Sequence, residues 1–346
     1  MKYKVFGSRT GLRVSQVSLG CGMFGKAWGY GADPKEARLI FEKYIEGGGN
    51  FFDTADAYQN GESEILLGEF LDSSRDNYVI ATKYTQGNHD PSANGNSRKN
   101  MVQSVEASLR RLKTDHIDIY WTHMPDTLTP VDEIMRGFDD LVRAGKILYA
   151  GLSDFPAWRA AAAATLADAR NWAPLAGIQI EYSLVERTPD REILPMAEAF
   201  DLGTVVWSPL AGGFLTGKYR STDEGRAKNW AVPLIHKEDN SKKTAILDAL
   251  FQIAQKTESN PGQVALAWIM KKGLIPIIGP RTADQVTDNL GATKVTLSDG
   301  QFDTLNTLSA IHNEFPHTMF ERFEGIKDKI YGGNAALVDQ PKSPVI

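Results

Sequence analysis

An α/β fold, a (β/α)8 barrel of the TIM type, is predicted by three observations. Eight short apolar runs alternate with longer helical patterns from one end of the 346-residue chain to the other. Several of the runs (YVIAT, TVVW, LIPII) are continuously apolar, as expected of parallel strands covered on both faces. No G-x-G-x-x-G opens a helix after the first strand, since LGCGMFG spaces its glycines differently, which makes a doubly wound dinucleotide-binding sheet the weaker reading. Eight consecutive strand–helix units close best into a barrel.

The elements follow in order. YKVFGSRTGLRVS at the N-terminus reads as a short hairpin that plugs the barrel bottom. VSQVSLG (14–20) is the first strand, and PKEARLIFEKYIEGG (34–48) its helix, with Pro34 at the start and glycines at the stop. NFFD (50–53) precedes the helix SEILLGEFLD (63–72). YVIATK (78–83) precedes NMVQSVEASLRRL (100–112), and IDIYWTH (117–123) precedes VDEIMRGFDDLVRAG (131–145). ILYAGLS (147–153) leads into the alanine-rich WRAAAAATLADA (158–169), and GIQIEY (177–182) into DREILPMAEAF (190–200). TVVWS (204–208) is the seventh strand, its crossover ending in PGQVALAWIMKKG (261–273); LIPIIG (274–279) is the eighth, followed by ADQVTDNLGA (283–292). Two pieces depart from the repeat: a polar loop with an added helix (216–257) and a tail from about Ser298. The whole chain, 1–346, reads as one domain.

Composition narrows the function classes. With 42% hydrophobic and 23% charged residues the chain has an ordinary globular profile. A net charge of −5 supplies no basic field for nucleic acid. No apolar run approaches the ~20 residues a membrane helix needs, and MKYKVFGSRTGLRVS lacks the apolar core of a signal peptide, which predicts a cytoplasmic protein without membrane contact. The single cysteine, Cys21, leaves no internal disulfide and no cysteine-rich zinc site; it reads as a small apolar filler. Nothing in the sequence specifies an oligomeric state.

In a barrel, chemistry gathers where the strands end. The second strand runs out in FFDTADAY, with Asp53 at its end and Tyr58 one turn later; the third ends in Lys83 and the fourth in His123. The fifth ends in Ser153 and Asp154, the sixth carries Gln179, the seventh ends in Trp207 and Ser208, and the eighth in Gly279 and Arg281. A proton donor, a cation, a carboxylate and an imidazole thus converge on one rim, a set suited to carbonyl reduction. Tyrosine, with an ordinary pKa of ~10, is a poor proton shuttle at neutral pH; a neighbouring ammonium on Lys83 would lower it, and Asp53 would keep that ammonium charged. His123 would orient the carbonyl oxygen beside Tyr58. None of these groups supplies a hydride, so a cofactor must. The helix beginning near Thr282 is expected to offer free N–H groups to an anion, with Arg281 and Gln285 beside it.

The segments FFDTADAYQNGESE, IATK, WTHMPD, GLSDF, IQIEYSLVER, WSPLAGGFLTGKY and IPIIGPRTADQVTDNL, in this order, resemble the aldo-keto reductases from about Gly7 to about Ala310. The resemblance implies a catalytic tetrad on Asp53, Tyr58, Lys83 and His123, and an extended nicotinamide cofactor bound without a Rossmann domain. It implies carboxamide contacts from Ser153, Asp154 (where many members have Asn) and Gln179. Trp207 stands where many members stack a tyrosine on the nicotinamide. This feature, followed by SPLAGG, resembles the branch with the potassium channel β subunits and many bacterial oxidoreductases. Ser208, Leu210, Gly212, Thr216 and Lys218 fall on the pyrophosphate-wrapping segment; Gly279, Arg281, Gln285, Asp288 and Asn289 fall on the adenosine end. The implied cofactor is NADPH, with NADH the alternative. Trp28, Tyr30 and Met124 are the expected substrate pocket, with Phe315, Phe320, Phe323 and Tyr331 of the tail as further aromatic wall; the implied partner is a small carbonyl compound or its alcohol.

Each residue alone has an ordinary structural reading: Asp53 as a turn cap, Tyr58 as a half-buried aromatic, Lys83 as a solvated charge, His123 as a satisfied core histidine, Trp207 as core. The joint placement of the first four on successive strands argues against their ordinary readings together, while plain core stays the alternative for Trp207. A metal-dependent barrel hydrolase would need several ligands at strand ends, and only His123 among six histidines sits at one. A cofactor-retaining redox sensor would carry the same tetrad and differ by stalling after one turnover.

Overall fold

The computed structural model of the protein describes residues 1–87, 90–220, 236–319 and 325–339. Two short strands, β1 (Tyr3–Val5) and β2 (Arg13–Ser15), pair antiparallel as the hairpin. Eight parallel strands then close a barrel: β3 (Ser18–Gly20), β4 (Phe51–Asp53), β5 (Val79–Tyr84), β6 (Ile117–Thr122), β7 (Ile147–Ser153), β8 (Leu175–Glu181), β9 (Gly203–Trp207) and β10 (Ile275–Ile278), with β10 paired to both β9 and β3. Helices α1 (Pro34–Glu46), α2 (Glu62–Leu71), α3 (Arg98–Leu112), α4 (Val131–Arg143), α5 (Ala157–Arg170) and α6 (Ile193–Ala199) follow the strands in turn. Beyond β9 come α7 (Ser241–Lys256) and α8 (Pro261–Lys271), then after β10 α9 (Ala283–Gly291), α10 (Asp299–Ser309) and the short α11 (Ile326–Ile330). Among the described residues no helix is long and apolar enough to cross a membrane.

The hairpin plugs the bottom of the barrel through Phe6, which is fully buried with Val14 among the inward-facing Phe51, Val79, Ile119, Trp121 and Val205. Its ring lies edge-on to Phe51 and to Trp121, with centroids 6.2 and 6.3 Å apart. Gly203 makes room for it, because a Cβ there would come within 2.8 Å of the Phe6 ring. Burying such a side chain contributes ~1.5–3 kcal/mol toward holding the hairpin of three-residue strands against the barrel. The helices are capped as their sequences allow: Asp33 accepts from Lys35 N and Glu36 N with Pro34 following, and Asn260 with Gln263 forms a reciprocal capping box.

Three elements differ from the sequence expectation. The run VSQVSLG is two strands, because the chain changes partners between Ser15 and Ser18: Val14 pairs with Lys4 of the hairpin, Leu19 with Phe52 of the barrel. The segment from Asp190 is helical only from Ile193, after a 3-10 turn at Thr188–Asp190. The tail opens with an ordered helix, α10, started by a Ser298–Gln301 capping box. Of the long loop after β9, residues 221–235 lie outside the described residues, as do Phe320 and Phe323 of the tail; Phe315 is exposed.

Candidate active site

The parallel register brings the strand ends to one rim. Gly20 pairs with Asp53, Asp53 with Ala81, Lys83 with Trp121, and Ser153 with Gln179. Asp53 and Lys83 are the conspicuous members, a carboxylate and an ammonium buried at 2% and 0% exposure. They form an ion pair, Lys83 Nζ donating to Asp53 Oδ1, and Nζ donates again to the Thr54 carbonyl at 2.8 Å. Gln179 Nε2 fills the other carboxylate oxygen, Oδ2, at 2.7 Å. A buried charge without such partners would be prohibitively costly. Burial pulls the Lys83 ammonium down, but Asp53 and Tyr58 more than offset it, so the group sits above its ordinary value and stays charged.

Tyr58 lies directly against this pair. The Lys83 ammonium is 4.9 Å from the Tyr58 ring centroid, and His123 packs edge-on to the same ring at 5.6 Å. Desolvation pushes the phenol above its ordinary value, and Lys83 pulls it back down without cancelling that rise. The lysine therefore acts in the expected direction, yet the phenol's net shift in this structure is upward. Burial, reinforced by the Lys83 charge, pushes His123 down to about 3, so its imidazole is neutral at physiological pH. Its Nδ1 is buried with no hydrogen-bond partner, while the backbone N–H of His123 is fixed on the Tyr84 carbonyl at 2.8 Å.

Asp53, Tyr58 and His123 line a cavity of about 360 Å³, within the usual ~300–1,000 Å³ of small-molecule sites, while the fully buried Lys83 is not among its lining residues. Asp53, Tyr58, His123, Ser153, Asp154, Gln179, Trp207, Ser208, Gly212 and Gly279 reach it, with Trp28 and Met124 of the expected substrate pocket. Gly22 and Met23, which the sequence reading did not single out, line it as well. Gly22 lies so close to Tyr58 that a Cβ there would sit 3.4 Å from the ring. Tyr30 is not among the lining residues; its ring faces the Arg281 guanidinium at 4.7 Å.

A second cavity, about 380 Å³, adjoins the first and shares Ser208, Gly212, Ile277 and Gly279 with it. It is lined by Leu210, Thr216, Lys218, Arg281, Gln285, Asp288 and Asn289, the residues expected to wrap a dinucleotide. Polar side chains on its walls are tied into the surrounding structure. Gln285 Oε1 accepts from Arg281 N at 2.8 Å, Thr216 Oγ1 donates to the Gly213 carbonyl at 2.7 Å, and Asp288 Oδ1 accepts from Asn260 Nδ2 at 2.6 Å. The free N–H groups expected at the start of α9 are largely taken: Ala283 N donates to Glu36 Oε1 at 2.8 Å and Gln285 N to the capping Thr282 Oγ1 at 3.3 Å.

Left-handed backbone recurs around the first cavity, with Ser208 at its junction with the second. Asp154 (φ 57), Ser208 (φ 52) and Ala211 (φ 51) are non-glycine residues in left-handed conformations, which functional sites commonly store. Trp207 Nε1 donates to Asp154 Oδ1 at 3.0 Å, fixing the indole over the strand ends. Asp154 opens onto the cleft, yet its surroundings desolvate it enough to push its carboxyl up to about 6, against the pull of the Trp207 and Ser153 hydrogen bonds. Cys21 is fully buried and desolvation raises its thiol well above the ordinary range, which makes it inert packing. Among the described residues no group of three or more His, Cys, Asp or Glu could hold a metal ion.

The sequence pattern of the Aldo/keto reductase family matches residues 16–310. The chain is 35% identical over 322 residues to the uncharacterized oxidoreductase YrpG of Bacillus subtilis, covering 89% of this chain and 96% of that one. It is 32% identical to norsolorinic acid reductase of Aspergillus flavus, covering 91% and 82% of the two chains. It is also 32% identical to the aryl-alcohol dehydrogenase [NADP(+)] of Phanerodontia chrysosporium, covering 90% and 86%.

Proposed function

The chain belongs to the aldo/keto reductase family, and from that premise we propose that it reduces aromatic aldehydes or ketones to their alcohols with NADPH, with Tyr58 as the proton donor. The observation that carries this reading is the contact of Tyr58 with a buried Lys83–Asp53 pair at the floor of an aromatic-walled cavity.

The residues present fit a nicotinamide dinucleotide. A cavity with the cationic Lys218 and Arg281 on its walls suits the phosphates, and it runs into the cavity that holds Tyr58. Ser153, Asp154 and Gln179 would hold the carboxamide, Trp207 the nicotinamide face, and Ser208, Leu210, Gly212, Thr216 and Lys218 the pyrophosphate. Gly279, Arg281, Gln285, Asp288 and Asn289 would hold the adenosine end, with Arg281 facing the 2′-phosphate. When bound, the cofactor supplies the hydride that no side chain here carries.

The chain's own residues do the rest. Neutral His123 donates a hydrogen bond to the carbonyl oxygen and holds it beside the Tyr58 hydroxyl. Tyr58 gives its phenolic proton to that oxygen as the carbon is reduced, and the Lys83 ammonium stabilises the tyrosinate left behind. Asp53, held by both Lys83 and Gln179, keeps the ammonium in place. Trp28, Met124 and Trp207 wall the cleft and favour a flat aromatic substrate. The names of two relatives, an aryl-alcohol dehydrogenase using NADP(+) and a reductase of norsolorinic acid, support the aromatic class, and the first supports NADPH. One domain spanning 1–346 and a cytoplasmic setting complete the proposal.

Steady-state turnover of ring-bearing and short aliphatic aldehydes with NADPH and with NADH tests it. Sustained turnover is expected, with higher kcat/KM for the aromatic members and for NADPH. One turnover followed by a stall, or no preference for aromatic substrates, would contradict the reading.

A further inference from the structure

Gln59, next to the proposed proton donor, is fully buried and sits in a left-handed conformation (φ 50). Glycine would fit that backbone with less strain, so the glutamine side chain must be used. Its amide ties down the loop after β3. Nε2 donates to the Tyr30 carbonyl at 3.0 Å and to the Gly22 carbonyl at 3.3 Å, and Oε1 accepts from Trp28 N at 2.9 Å. Three residues on, Glu62 Oε2 accepts from Lys26 N at 2.9 Å and Ala27 N at 3.1 Å. The Trp28 ring in turn stands edge-on to Tyr58, with centroids 6.0 Å apart.

We propose that Gln59 is a positioning residue that sets substrate selectivity, by locking the Trp28 wall of the cleft to the turn that carries Tyr58. The inference rests on the reading of this cavity as a carbonyl-reducing site. None of these bonds reaches Asp53, Lys83 or His123, so the ion pair and the imidazole beside Tyr58 keep their partners when Gln59 is lost. What moves is the loop from Gly22 to Tyr30, and with it the slot between Trp28, Met124 and Trp207. Flat aromatic substrates use that wall, and a short aliphatic aldehyde does not reach it.

The test uses the full chain with Gln59→Gly, which removes all three bonds while relieving the left-handed backbone, and Gln59→Met, which removes them while keeping most of the volume. Amide hydrogen exchange at Trp28 should quicken at least ~10-fold in both variants, because its N–H loses its acceptor. KM for an aromatic aldehyde should rise about 10-fold with kcat within about 3-fold, while both constants for a short aliphatic aldehyde and the Kd for NADPH stay within about 2-fold. In a Trp28→Ala background, Gln59→Gly should add little, since the wall it positions is already gone. Unchanged exchange at Trp28 overturns the lock whether or not the enzyme turns over. Equal losses for both aldehydes, or additive effects with Trp28→Ala, overturn the selectivity role. A wild-type protein that reduces neither aldehyde faults the reading of the cavity instead, and the exchange measurement still decides the lock.

Discussion

Gln179 and Lys83 divide the two oxygens of the Asp53 carboxylate, Gln179 Nε2 on Oδ2 at 2.7 Å and Lys83 Nζ on Oδ1. The bond from Gln179 joins β8 to β4 across the barrel mouth. It gives Gln179 a task besides the expected contact to a carboxamide. Removing it in Gln179→Met would leave one oxygen of a buried carboxylate unsatisfied, which costs ~1–3 kcal/mol. Urea unfolding of the two proteins should show a loss in that range at an unchanged slope; a difference under about 0.5 kcal/mol would mean that Oδ2 finds another donor.

Lys83→Met tests whether the lysine tunes the tyrosine. Alcohol oxidation needs the phenolate, so its rate rises with pH through the apparent pKa of Tyr58. Desolvation raises that pKa and the Lys83 charge lowers it, so losing the charge must move the profile to higher pH. An upward displacement of about one to three units is expected at saturating cofactor. A profile that is scaled down but not displaced would assign Lys83 a purely geometric part.

His123 makes a prediction about stability. Its folded value of about 3 lies below the ordinary 6.5, so below pH 6.5 the unfolded chain binds a proton that the folded one refuses. Stability is therefore fully present above pH 6.5 and declines as pH falls toward 3. Between pH 7 and 5 this site should remove at most about 2 kcal/mol, and His123→Asn should lack that component. Thermal unfolding of both proteins at the two pH values measures it, and parallel losses would show that His123 does charge in the folded state.

Arg281 carries the cofactor preference. Its guanidinium lies over the Tyr30 ring at 4.7 Å and lines the second cavity. Arg281→Ala should weaken NADPH binding by ~1.5–3 kcal/mol, the worth of a charge-assisted contact, and NADH binding much less. Fluorescence titration with both cofactors distinguishes this from equal weakening, which would place the 2′-phosphate elsewhere.

The barrel was legible because strands covered on both faces must read as apolar runs, and a charge that ends such a run, as Asp53 and Lys83 do, has no packing reason to be there. The break between Ser15 and Ser18 was not legible, because a change of strand partner leaves the apolar pattern intact. The capping-box spacing of Ser298 and Gln301 was present in the sequence, and it is what orders the start of the segment read as a tail. Gln59 could not be found, since a glutamine in QNGES looks like a solvated loop residue and only the fold reveals what its amide meets. Nor could the Gln179–Asp53 bond, whose partners lie 126 residues apart. The net direction of the Tyr58 shift depends on how deeply the ring is desolvated, which spacing along a chain does not encode.

The proton-donating role of Tyr58 is the claim on which the rest depends, and Tyr58→Phe isolates it, because the ring stays and only the hydroxyl goes. The decisive measurement is the single-turnover rate of aldehyde reduction at saturating NADPH, with the cofactor Kd determined alongside. The rate should fall by ~10²–10⁴-fold, the usual contribution of a general acid, with cofactor Kd within a few-fold of wild type. A variant that keeps more than about a tenth of the wild-type rate would show that the proton comes from another group.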